Sequence, residues 1–314
     1  MKKFIGHITV FIAMIVATFI LMGIYIPYPE NGYERAQFVK MGMLAKVGRA
    51  PSIVLLGGSN VAFGFHSEML EDALGFPVIN AGLHAGIGLK MIVDDCARYL
   101  QKGDILILSP EMDHFFGQTA YGEHALAYLY FLDPANYTHL LNLQQWLVIV
   151  KNSINYIVHN RLALMAHIDN QKQTNVYHTS SFNQYGDVVW HWNNPSQNTY
   201  QSTQKVQKKL SPVNQAYFDY LINQLQYLES NGVRIVMYPP AMSHSCYESN
   251  LLNINWIERA FAEKGYPFIC PHSNTVNPDC LMYDNDYHCQ KEGAERHTQE
   301  LILLLRQAVL GVSE

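Results

Sequence analysis

The chain predicts an α/β protein of three layers, α/β/α around a central parallel sheet, carried on one N-terminal transmembrane helix and interrupted by one large insertion. Three observations point there. Short apolar runs alternate with helical patterns along most of the 314 residues. An apolar tract without Asp, Glu, Lys or Arg fills residues 4–26. The alternation breaks down in one block, residues 116–210. With 49% hydrophobic and 15% charged residues, the chain has material for one sizeable domain, or two small ones, around a real core. A formal charge of -5 with scattered Lys and Arg gives no basic patch for nucleic acid.

The strand candidates are SIVLLG (52–57), PVINAG (77–82), DILILSP (104–110), VRIVMYPP (233–240) and YPFIC (266–270). Each is a short apolar run, as expected of strands buried on both faces. Between them, Leu89, Ile92, Val93, Cys96 and Leu100 form one helical stripe that stops at Gly103. Ser211-Pro212 reads as an N-cap with proline at the first helical position, opening a helix through Tyr217, Leu221, Leu225 and Leu228 to Asn231-Gly232. A third helix ends at Gly265, and a Leu-rich fourth closes the chain before Gly311. Strand then helix, repeated, builds a parallel sheet covered by helices. The insertion is rich in Tyr, His, Asn and Gln, and is expected to form a cap or a partner-facing surface. Its run SSFNQYGDVVWHW offers aromatic and polar groups of the kind that stack on sugars.

Residues 1–28 are expected to be a short cytoplasmic tail and an uncleaved anchor, 29–49 a linker, and 50–314 the main α/β domain, with the insertion 116–210 between its third and fourth strands. About 20 apolar residues span a bilayer, whereas a cleaved signal peptide has a shorter apolar core and a small-x-small site. Here GIYIPYPENG follows instead. Lys2 and Lys3 before the tract, with Glu30 and Glu34 after it, place the domain outside the cytoplasm, on the periplasmic or cell-surface side. Four of the five cysteines (Cys246, Cys270, Cys280, Cys289) fall in the last quarter of the chain, compatible with one or two disulfides in an oxidising compartment. They lack the paired spacing of a zinc site. Cys96 lies on an apolar helix position and reads as core.

Chemistry concentrates where the first strand ends, in Gly57-Gly58-Ser59-Asn60. Ligands of open parallel sheets bind at the carboxyl ends of strands. Two glycines let the backbone turn and approach a ligand, and the helix that follows favours negative charge near Ser59. No Gly-Lys-Ser/Thr follows, so this is not a P-loop, and the second glycine of GxSxG is missing. A nucleophilic serine needs a base and an orienting acid. Of 14 histidines, His84, His114, His124, His139, His159 and His191 read as surface or structural. His288 differs, because in MYDNDYHCQKEGAERHT it follows Asp284 by four residues and Asp286 by two. An EF-hand reading of this loop fails for want of the glycine and the distal glutamate.

These blocks resemble the SGNH (GDSL-like) hydrolase and acyltransferase superfamily. Gly57-Gly58-Ser59 is similar to its first block, Gly82 in VINAGLHAG to the glycine of its second, and YDNDYH to its last. YDNDYHCQKEGAERHT is especially similar to membrane-anchored members that modify cell-envelope polymers, such as those of teichoic-acid D-alanine transfer and alginate O-acetylation. The resemblance covers roughly residues 50–115 and 230–310 and implies a flavodoxin-like sheet. It also implies Ser59 as nucleophile, His288 as base, Asp284 as acid with Asp286 as fallback, and an oxyanion held by N–H groups of Ser59 and Gly82. No cofactor and no metal is implied. The implied partners are a cell-surface glycan, an acyl donor and a multispanning membrane-bound O-acyltransferase.

Two departures stand out. The strand end LSPEMDHF carries Glu111 where the family places an oxyanion-hole Asn, and loss of one such donor costs about 10²–10³ in rate. Asn60 and Glu111 are therefore candidates for orienting substrate. The acid also lies four residues before the histidine rather than three. The expected activity is acyl, in particular O-acetyl, transfer or ester hydrolysis on a cell-envelope glycan. The alternatives are a catalytically weak scaffold of a glycan-modification complex and a metal-dependent hydrolase.

Overall fold

The computed structural model describes residues 2–25, 32–46, 50–165, 176–194 and 200–308. In chain order the helices and strands are α1 (Lys2–Tyr25), α2 (Ala36–Lys46), β1 (Ile53–Gly57), α3 (Ser59–Gly64), α4 (Ser67–Leu74), β2 (Val78–Asn80), α5 (Leu89–Ala97) and β3 (Ile105–Ser109). There follow α6 (His124–Leu132), α7 (Pro134–Tyr137), α8 (Leu143–Met165), α9 (Trp190–Asn193), α10 (Gln215–Ser230) and β4 (Arg234–Met237). The chain ends with β5 (Met242–Ser243), α11 (His244–Ser249), α12 (Leu251–Glu263), β6 (Val276–Asn277) and α13 (Lys291–Ala308).

The central sheet has the order β2-β1-β3-β4, all parallel. The fifth expected strand makes a single parallel bridge, Phe268 to Met237, at the outer side of β4. Side chains alternate across the sheet, as a period of two requires. Val54, Leu56, Leu106 and Leu108 join a core built with α5, α10 and α12. Ile53, Leu55, Ile105 and Ile107 face the opposite way, into a core with α4 and α13. Both faces are covered, giving the three layers. Full burial of each such side chain contributes about 1.5–3 kcal/mol, so β1 is held by its two-sided packing.

Helix ends follow local chemistry. Asn214, not Ser211, caps α10, its side chain accepting from Tyr217 N at 3.2 Å. Ser211 N instead donates to Asn253 Oδ1 at 3.0 Å, and Val213 bridges Phe116, which holds this stretch extended. Gly232 follows α10 at φ +85, the left-handed region that glycine tolerates. Helix α5 ends at Ala97, before the expected stop at Gly103, because the N–H groups of Arg98 and Tyr99 turn back to Asp95 O and Cys96 O in tighter turns. The end of the last helix near Gly311 lies outside the described residues.

Two expectations about organisation change. Residues 32–46 are part of the folded domain rather than a linker, with Tyr33, Gln37, Lys40, Met41 and Leu44 buried. Lys40 Nζ donates to Asn80 O at 2.8 Å and Gly186 O at 2.5 Å and lies 4.6 Å from the Phe182 ring centre. Burial pulls its ammonium down to about 7, against the pull of Asp187. Described parts of the block 116–210 also join the main core, through Leu126, Leu129, Tyr137, Tyr156 and Val188. Asp187 accepts from Ser67 N and Oγ at 2.9 and 2.6 Å and from Asn80 Nδ2 at 2.8 Å, tying the insertion to α4 and β2. Much of SSFNQYGDVVWHW is thereby structural: Asp187, Val188 and His191 are buried, and Trp192 packs on the His66 ring at 4.9 Å.

All five cysteines are free, so the expected disulfides are absent, and burial pushes the thiols of Cys246, Cys270 and Cys289 up to about 12. Counted over the described residues alone, no helix is long and apolar enough to cross a membrane. The side chains at positions 19–20 and 23–24 of α1 fall outside that count.

The buried lysine provides a test of the N-terminal segment. Lys40→Met removes the donor shared by two buried carbonyls and should cost at least about 1–3 kcal/mol in urea unfolding. Val39→Ala, at a side chain 61% exposed on the same helix, should stay within about 0.5 kcal/mol. Equal, small effects would make 32–46 a tether after all.

Candidate active site

The site forms where β1 and β3 end side by side. Gly57 pairs with Ser109 at the last position of the ladder, so the chain leaves both strands at one level. Ser59 then opens α3 on one side, and Glu111 follows β3 on the other. Neither glycine before Ser59 has a positive φ. Close packing requires them instead: a Cβ on Gly57 would lie 2.4 Å from Ser109 O, and one on Gly58 would lie 2.5 Å from Glu111 Oε1. Gly82 is constrained in the same way, because a Cβ there would lie 2.4 Å from Val61 Cβ and 2.9 Å from Gly58 O.

His288 reaches the site from a closed loop. Met282 and Cys289 bridge antiparallel, and Asn285 Oδ1 accepts from the backbone N–H of Tyr287 and His288 at 2.8 and 3.0 Å. This Asn-based turn explains the longer spacing, because it lets Asp284 fold back over four residues. Asp284 Oδ1 meets His288 Nδ1 at 2.6 Å. Asp286 is turned away, accepting from Ser243 Oγ at 2.5 Å. Of the two carboxylates, Asp284 is therefore the one that orients the imidazole.

The imidazole stacks on Phe63, with ring centres 3.8 Å apart and planes 3° from parallel. Phe63 lies one turn after Ser59, so His288 sits over the helix face that starts with the serine. His288 Nε2 is buried without a hydrogen-bond partner. With Nδ1 bound to the carboxylate, the unpaired nitrogen is the one placed to accept a proton. Ser59 Oγ donates instead to Glu111 Oε1, at 3.4 Å. Such contacts are commonly long before substrate binds.

Tyr177, within the insertion, carries no signal in the sequence. Its hydroxyl donates to Asp284 Oδ2 at 2.5 Å and lies 3.4 Å from His288 Nδ1. Burial pushes the Asp284 carboxyl up, but hydrogen bonds from His288 and Tyr177 outweigh it and hold the acid below its ordinary range. Tyr177 in turn packs edge-on against Tyr33 at 5.6 Å, linking the acid to the segment before α2. No local motif marks Tyr177, since its partner is 107 residues away.

The remaining candidates fall differently. Asn60 is buried and donates to Ser109 O at 2.8 Å, so it ties α3 to β3 instead of facing substrate. Gly82 N–H is engaged by Asn80 Oδ1 at 3.1 Å. Glu111 is buried and accepts from Asn60 N at 3.2 Å and from the Ser59 backbone N–H. Burial pushes its carboxyl up to about 7. His84, whose Nδ1 accepts from Gly86 N at 2.9 Å, is kept neutral by burial and then by His124 and His288, its pKa down at about 4. Burial likewise lowers His114 and His191 to about 4. The His159 side chain lies outside the described residues. Among the described residues, no three His, Cys, Asp or Glu side chains converge as a metal-ligand set.

Comparison with protein-family models, curated proteins and solved structures finds no match for the chain.

The two carboxylates can be separated by experiment. Asp284→Asn should slow labelling of Ser59 by a fluorophosphonate by about 10²–10⁴, the usual worth of a positioned base. Asp286→Asn should leave labelling near the wild-type rate and lower stability by about 1–3 kcal/mol through the weakened Ser243 contact. The reverse order would reassign the acid.

Proposed function

We propose that this protein is an extracytoplasmic serine acyltransferase or esterase that acts on a cell-envelope glycan through an acyl-serine intermediate, with acetyl as the acyl group. The observation that carries this reading is the unpartnered Nε2 of His288, whose imidazole is held by Asp284 at Nδ1 and stacked on Phe63, one turn along the helix that Ser59 opens. In the proposed mechanism His288 takes the Ser59 proton as Oγ attacks the acyl carbonyl. The tetrahedral intermediate collapses, the leaving oxygen takes the proton from His288, and the acyl group stays on Ser59. A sugar hydroxyl or water then attacks, with His288 again moving the proton.

Transfer is favoured over hydrolysis in this proposal, with a membrane-borne donor. Helix α1 has 24 residues, about 36 Å at 1.5 Å each, and exposes Phe4, Ile5, Val10, Phe11 and Ile12. That supports an anchor, with Lys2 and Lys3 on the cytoplasmic side. Tyr33, which touches Tyr177, follows Tyr25 by eight residues, a reach of at most about 28 Å. The site would thus stand near the bilayer, within range of a multispanning membrane-bound O-acyltransferase as donor. Water outcompetes a sugar hydroxyl unless the acceptor is held, and such positioning is worth about 7–11 kcal/mol.

Ser59→Ala and His288→Ala should each abolish turnover of an activated acetyl ester, and the double variant should be no worse than either, because both act in one proton-transfer chain. Full function of Ser59→Ala in the cell would replace the enzyme by a scaffold. Given an activated acetyl donor and short oligosaccharides, the protein should form acetylated sugar; acetate release at one rate whatever the acceptor would mean an esterase. A reporter fused after Glu314 should be active only outside the cytoplasm, and activity inside would remove the anchor from the proposal.

A further inference from the structure

The acyl-serine reading leaves the oxyanion short of donors. Gly82 N–H already donates to Asn80 Oδ1 at 3.1 Å. The N–H groups of Ser59 and Asn60 both face Glu111, the latter at 3.2 Å. Where related enzymes would bring an Asn amide from the end of the third strand, this chain brings Glu111. Its side chain is buried, and Oε1 lies 3.4 Å from Ser59 Oγ. The space for it is made by Gly58, where any side chain would start 2.5 Å from Oε1.

An ionised carboxylate at this position would repel the negative charge that develops on the attacked carbonyl. A carboxylic acid would do the opposite, since its O–H is a donor. We propose that Glu111 works as a neutral acid, one oxygen accepting from the Ser59 and Asn60 N–H groups while the O–H of the other donates to the oxyanion of the tetrahedral intermediate. This rests on the proposed acyl-serine function and names the group that completes it. In the step itself the Ser59 Oγ–carbon bond forms, the Ser59 proton passes to His288 Nε2, and the carbonyl π pair moves onto oxygen. Glu111 keeps its proton throughout and contributes a hydrogen bond only.

The surroundings support a protonated acid. Burial is the main cause that raises Glu111 to about 7; the Asn60 N–H lowers it, and Asp113 raises it. From other elements, Tyr33 and Tyr287 face it electrostatically, and burial keeps both phenols neutral. A neutral acid held by an apolar site is an established way for a protein to donate to an oxyanion near neutral pH.

A purely structural role predicts something else. Gly58 offers α3 no side-chain cap, and Glu111 accepts from its first N–H groups in that place. Capping needs only an acceptor, which glutamine supplies at every pH. The test is therefore the pH profile of the full chain, read as turnover of an activated acetyl ester and as fluorophosphonate labelling of Ser59. In the wild type both rates should fall roughly tenfold per pH unit above the Glu111 pKa of about 7, because the donor form is lost as pH rises. Glu111→Gln, which keeps an N–H donor, should remove that alkaline fall and stay within about tenfold of the wild-type low-pH rate. Glu111→Ala should lose about 10²–10³ at all pH values, with circular dichroism confirming a folded chain for both variants. An alkaline fall unchanged in Glu111→Gln, or Glu111→Ala as active as or faster than the wild type, overturns the inference. If wild-type Ser59 reacts with neither reagent at any pH, the acyl-serine reading itself falls and takes this one with it; a reactive Ser59 indifferent to Glu111 overturns this one alone.

Discussion

The parallel pairing of β1 with β3 is the constraint on which the site depends. Their register runs from Ile53 opposite Ile105 to Gly57 opposite Ser109, and each chain then departs at the same height. Because β2 lies on the other side of β1, the chain turns in opposite directions after β1 and after β3. In such sheets ligands bind at the carboxyl ends of strands, at the point where the connections diverge. Two residues past the ladder on each side, Ser59 and Glu111 come into contact. A slip of one register position would part them and reverse the faces of every side chain on β1.

Behind these strand ends lie polar groups that have left water altogether. Asn80 sits at the end of β2, where its main chain takes Lys40 and Tyr185 and its amide takes Asp187, Val61 and Gly82. Such groups are costly to bury unpaired, by about 1–3 kcal/mol each. Their mutual satisfaction locks the N-terminal segment, β2 and the insertion into one arrangement. The glycines around Ser59 belong to the same scheme, since they let a backbone carbonyl, a valine and a carboxyl group approach this turn more closely than any side chain allows.

Ser59 and the His288–Asp284 pair come from distant stretches of the chain. Ser59 is set by a strand end, His288 by a hairpin pinned at Met282 and Cys289, and Asp284 by that same hairpin together with Tyr177. Tyr33 against Tyr177 carries the chain of contacts onward to the segment that follows α1. The imidazole, stacked flat on Phe63, is held by packing as well as by charge.

Patterning alone determined the four strands of the main sheet, their alternation with helices, the stop at Gly232, and the two blocks around Ser59 and His288 in which the candidate chemistry lies. These follow from local causes, namely apolar runs of strand length, helical stripes, and glycine where φ must be positive. Patterning left Asp284 and Asp286 both open beside His288, and only the resemblance put Asp284 first; the contact that separates them, and the Asn285 turn behind the longer spacing, appeared in three dimensions. What the tertiary structure alone decided are the features made by residues far apart in the chain. Residues 32–46 resemble a linker until Lys40 is seen bonded to Gly186, 146 positions away. Gly82 and Asn60 look available until Asn80 and Ser109 are found to hold them. Ser211 looks like a cap, but the bridge between Val213 and Phe116 postpones the helix to Asn214. Tyr177 has no pattern to reveal it. A hydrogen bond is decided by who arrives within about 3 Å, and sequence separation carries no record of that distance.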